Sequence, residues 1–160
     1  MDEEYMKEEI CKEIVYNFCT EFNEWEALYF SLKRAETRRI EGKVIADKLK
    51  KKIEGHSIDE QKARHAKIFE KYINPRDRKY GSNPGEPGSC GDPVTYRNVS
   101  KERIISTDFP RQNRCEIIAN WGIWDDGKIM FVLLKKNNKW RIDSIKKYYE
   151  SDGKWSVWHL

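Results

Sequence analysis

The spacing of apolar residues changes once along this 160-residue chain, and that change limits the fold more than any other feature. Before residue 75 apolar side chains recur every three or four positions. After residue 103 they alternate. The first period is that of a helix with one dry face; the second is that of a half-buried strand. Between the two lies "GSNPGEPGSCGDP" (81–93), which holds four of the nine glycines and three of the five prolines. No regular element survives that density. It reads as a connector within one domain (1–160), because neither half alone has a second layer against which to bury its apolar face.

Within the first half (about 3–74), Ile10, Ile14, Phe18, Phe22, Trp25 and Tyr29 form one stripe, which predicts a helix from about Glu3 to Arg34. Ile40, Val44, Leu49 and Ile53 suggest a second helix ending at Gly55. Ser57 and Glu60 have capping-box spacing and open a third, with His65, Ile68, Phe69 and Tyr72 facing inward. Asn74-Pro75 ends it, since proline disfavours helix in the residue before it. In the second half (about 103–160), Cys115, Ile117, Ala119 and Trp121 share one strand face. Asp126-Gly127, Asn137-Asn138 and Asp152-Gly153 supply tight turns. Short hairpins in series give an antiparallel meander. The expected class is α+β, with N-terminal helices packed on a curved antiparallel sheet to form a cone.

Charge narrows the function. Charged residues make up 36% of the chain and aromatics 12%, so it folds and stays hydrated. The net charge of +4 is modest and the signs are interleaved, which speaks against a dedicated nucleic-acid binder. The basic run "KLKKK" (48–52) reads as a solvated helix face. The start, "MDEEYMKEEI", lacks the apolar stretch of a signal peptide, and no run approaches a membrane span of about 18 apolar residues. The expected setting is therefore the reducing cytoplasm. Cys11 and Cys19, about 12 Å apart along a helix, are too distant for a disulfide. No C-x-x-C or set of three ligands at metal spacing occurs, so no metal or cofactor is expected.

Several residues could carry chemistry. Asp143 alternates with Trp140 and Ile142, which puts it on the face of Arg141 and predicts an outward ion pair. An enzyme would instead need it inside, with His65 or a tyrosine as partner. His65 itself fits a hydrogen-bonded, semi-buried role. Cys90 has no local group to activate it. Trp25, Tyr29, Phe69, Tyr72 and Trp140 suit core filling better than a ligand pocket. Arg76, Arg78, Tyr80 and Trp124 lie in predicted loops and are of the types that anchor protein interfaces.

Trp25-Glu26 with Tyr29, then "IFEKYINPRDRKYG" (68–81), then "KKNNKWRIDS" and "GKW" (153–155), resemble the immunity proteins of nuclear-transport-factor-2-like fold from bacterial polymorphic toxin systems. The resemblance runs from about residue 15 to the C-terminus, and the Gly/Pro-rich loop departs from the pattern. It implies a cystatin-like cone and a protein that neutralises a cognate toxin by binding it, with no catalytic set. Two other readings stand beside it: a cone-fold isomerase or dehydratase, and an RNA-binding module. Sheets of this kind often pair, so a homodimer stays open.

Overall fold

The computed structural model describes residues 2–76, 83–88, 90, 94–121 and 127–158. Helix α1 (Glu3–Ile40) starts where the Asp2 carboxylate accepts the Glu4 N–H at 3.1 Å. At ~1.5 Å per residue it spans about 57 Å. It stops at Gly42, whose φ of +70° is a conformation that side chains with a Cβ avoid. The Lys43 N–H closes the end on the Arg38 carbonyl at 2.8 Å.

The stripe expected on α1 is present but begins elsewhere. The buried line is Cys11, Val15, Phe18, Phe22, Trp25, Tyr29 and Leu32, while Ile10 is 49% exposed. Helical geometry explains the correction. Each residue turns the helix by about 100°, so every step of four drifts by about 40°. Three such steps from Ile10 to Phe22 accumulate about 120°, which carries Ile10 off the core face. Cys11 and Tyr29 are 18 residues apart, five full turns, and stay in line.

The second predicted helix is also shortened. Ile40 ends α1 and Val44 lies in the following loop, 80% and 81% exposed; α2 (Asp47–Ile53) buries no residue. Gly42 breaks the would-be stripe in two. Helix α3 (Ile58–Tyr72) begins at Ser57, whose Oγ accepts the Glu60 N–H at 3.1 Å. Its Gln61, His65, Ile68, Phe69 and Tyr72 are buried, and the Trp25 indole N–H ties α1 to the Gln61 carbonyl at 2.7 Å.

Part of the connector is docked rather than loose. Residues 83–86 form a turn in which the Glu86 N–H donates to the Asn83 carbonyl at 2.8 Å and Gly85 has a φ of +75°. Pro84 followed by a positive-φ glycine is the pattern of a type II turn. Gly85 lies against the α3 backbone, and an added Cβ would sit 3.6 Å from the Lys62 carbonyl oxygen.

Five antiparallel strands follow in chain order across one sheet: β1 (Ile104–Arg111), β2 (Arg114–Ala119), β3 (Gly127–Lys136), β4 (Lys139–Tyr149) and β5 (Lys154–Trp158). Asn137 and Asn138 turn β3 into β4 with φ of 51° and 63°. Two successive positive values match the twist of the strands they join. Asp126 of the expected first hairpin lies outside the described residues. Cys115, Ile117, Ala119, Ile129, Phe131, Leu133, Trp140 and Ile142 line the inner face and share one core with α1 and α3. Cys11, Cys19 and Cys115 are free thiols with no exposed surface.

One irregularity in β4 matters for the site. Leu133 pairs with Ile142 and Val132 with Ser144, so Asp143 is an extra residue, a β-bulge. The bulge resets the alternation, and Ile142 and Ile145 both point into the core. The chain leaving α3 runs beside this point: Ile73 bridges Ile142 in parallel, and the Asn74 N–H donates to the Ile142 carbonyl at 2.7 Å.

Candidate functional site

The interior of the cone is filled with rings. Trp25 stacks on Tyr29 with ring centres 5.0 Å apart, and His65 stacks on Phe69 at 4.3 Å and lies 4.7 Å from Trp25. Phe18 and Phe22 continue the stack towards Tyr96. These aromatics pack the core, as expected.

Among the buried ionisable side chains, one base and one carboxylic acid stand out, and each holds a piece of the chain. His65 is fully buried, deeper than its sequence suggested. Its Nδ1 accepts the Gly85 N–H at 3.1 Å, and burial lowers its pKa to about 4, so the ring is neutral at ordinary pH. Glu26 is 1% exposed, and its two oxygens accept the Thr95 N–H at 2.7 Å and the Thr95 hydroxyl at 2.8 Å. One turn before it on α1, Asn23 holds the Tyr96 backbone at both ends, donating at 2.8 Å and accepting at 3.1 Å. Asn23 and Glu26 thus fasten the segment that leads into the sheet. Cys90 is half-buried, and burial, then the Glu26 carboxylate, push its thiol up to about 12, which disfavours the thiolate.

Asp143 is found at a different contact from the one its strand position suggests. Its carboxylate accepts the Asn74 side-chain amide at 2.8 Å and lies 3.4 Å from Arg76 Nε, while Arg76 also donates to the Asp143 carbonyl at 3.1 Å. The bulge turns Asp143 away from a simple alternation with Arg141 and towards the chain leaving α3. Arg76 is half exposed and held by two contacts. It stands at the rim of a cavity of about 980 Å³ that Phe69, Glu70, Glu86 and Arg141 also line. The other expected anchors, Arg78, Tyr80 and Trp124, lie outside the described residues. Sequence reasoning missed Glu26 and Asn23 as fasteners. The signal was available for Glu26: an acid four residues after Phe22 and three before Tyr29 sits on the dry stripe.

Among the described residues no three metal-binding side chains gather, and no helix is long and apolar enough to cross a membrane. Inside the helix-filled cone, Glu26 holds Thr95 and His65 Nδ1 holds the Gly85 N–H. The chain belongs to the NTF2 fold immunity protein family, whose profile matches residues 9–158. Immunity protein RhsIA of Dickeya dadantii (strain 3937) is 26% identical over 149 residues, covering 93% of this chain and 95% of that protein. No solved structure matches the chain significantly. Family membership makes it an immunity protein, which acts by neutralising a toxin, and confirms the NTF2 fold. Family membership replaces the isomerase and dehydratase readings.

Proposed function

We propose that residues 1–160, acting as one domain in the cytoplasm, neutralise the toxin encoded beside this gene by forming a one-to-one complex that covers its active site or substrate channel. The observation that carries this reading is the filled cone. Since Glu26 and His65 are tied to Thr95 and Gly85, the surface is left to do the work. A surface preorganised by buried ties loses little entropy on binding. Arg76, braced by Asp143, is the described member of the contact set we propose; Arg78, Tyr80 and Trp124 complete it. Co-expression of the neighbouring toxin gene with this chain tests the reading. Growth should be restored, and the purified proteins should sediment as one complex of one copy each. Killing that is undiminished by the chain would overturn it, and a complex holding two copies would replace the one-to-one stoichiometry with a homodimer.

A further inference from the structure

The groove between α1 and α2 lies apart from both the ring stack and the Arg76 corner. It encloses about 420 Å³ over a floor that includes Phe30 and Leu49. Four cations line it: Arg34 and Arg38, one turn apart on α1, and Lys48 and Lys52, one turn apart on α2. No carboxylate is among its lining residues, and among the described residues none of the four forms an ion pair. Several cations elsewhere are neutralised by a nearby carboxylate. Lys12 meets Glu8, Lys71 meets Glu21, Arg64 meets Glu24 and Lys101 meets Glu13. The groove therefore gathers four cations with no ion-pair partner over apolar carbon, and like charges so placed repel one another until an anion arrives. Arg38, which lines the groove, also donates from Nε to the Val44 carbonyl at 2.9 Å, in the exposed loop after α1.

We infer that this groove docks an acidic segment of the toxin, with carboxylates one helical turn apart and an apolar side chain between them. The two pairs of cations match acids at a spacing of about 5–6 Å, the distance between neighbours one turn apart on a helix. The apolar side chain rests on Phe30 and Leu49. The lysines of the run 48–52 are exposed, as a solvated helix face requires, and α2 buries nothing, so they are free to meet a partner. The inference rests on the toxin-binding reading above and assigns that binding a place.

The test uses the full chain and the product of the neighbouring toxin gene. A double reversal, Arg34→Glu with Lys48→Glu, should weaken the complex at least 100-fold at low salt. The salt dependence of Kd seen for the wild type should shrink, since screening acts on the pairs removed. The milder Lys48→Gln, Lys52→Gln pair should weaken it several-fold with an unchanged melting temperature, which separates lost docking from lost folding. A wild type that binds the toxin beside a reversal variant of equal Kd and equal salt slope overturns the groove and leaves the function intact. So does a variant that loses binding to duplex RNA while holding the toxin. A wild type that binds no toxin overturns the functional reading itself, and the groove with it.

Discussion

Helices α2 and α3 follow one another in the chain, and both carry apolar residues at helical spacing, but they are held in different ways. Five residues of α3 are buried, its first turn is capped by Ser57, and Trp25 reaches across to bond its backbone. Helix α2 buries none, and its N-cap, Ala46, offers no side-chain bond. Seven residues make a marginal helix in water, and α2 has neither a side-chain cap nor a buried residue to fix it. The lesson is a division of labour. Packing dictates the composition of α3. It places little demand on α2, whose charge is free to serve a partner.

Cutting the tie between α1 and α3 should cost the most. Trp25→Ala removes the ring from the stack and the bond to Gln61, and should destabilise by about 3–5 kcal/mol in urea melts. A loss below about 1 kcal/mol would show that α3 is held no better than α2. Glu26→Ala should follow at about 1–3 kcal/mol, because the half-buried Thr95 N–H and hydroxyl lose their buried acceptor. Midpoints for the Ala and Gln variants should fall in that order, with Gln the less damaging.

The pH dependence should be smaller and is fixed in sign. Folding lowers the His65 pKa to about 4 from the ordinary 6.5. Between those values the unfolded chain takes up a proton that the folded chain refuses. Stability therefore declines as pH falls through that window, by at most about 1.4 kcal/mol per pH unit for one proton, and the decline levels off below it. His65→Phe should flatten this part of the profile relative to wild type; equal slopes for the two would remove His65 as the cause. Leu49→Ala on α2 should change stability least, by less than about 1 kcal/mol on calorimetry. A larger loss would make α2 part of the core after all.

Much of the fold could be read from period alone, because a dry face against water leaves a regular trace. The meander, the Asn137-Asn138 turn and the Ser57 cap were legible for that reason. What escaped depends on angles that accumulate or on residues distant in sequence. Ile10 seemed to continue the stripe until the drift of repeated steps of four was counted. Asp143 seemed to face Arg141 because strand parity has no symbol for a bulge, and its partners Asn74 and Arg76 come from another part of the chain. At the site, Arg76 could be chosen by residue type, but its brace could not. The basic run at 48–52 was visible; its facing pair on α1, 14 residues upstream, becomes a neighbour only when the chain turns at Gly42.

The three sealed thiols give the molecule a clock of its own. A hydrogen bond from Cys11, then burial, pushes the Cys115 thiol far above its ordinary range, and burial does the same to Cys19. Neither offers the thiolate that an alkylating reagent attacks. Such a reagent can mark them only in the moments when α1 lifts from the sheet, so its labelling rate counts those moments, and a bound toxin that clamps the cone should slow the count.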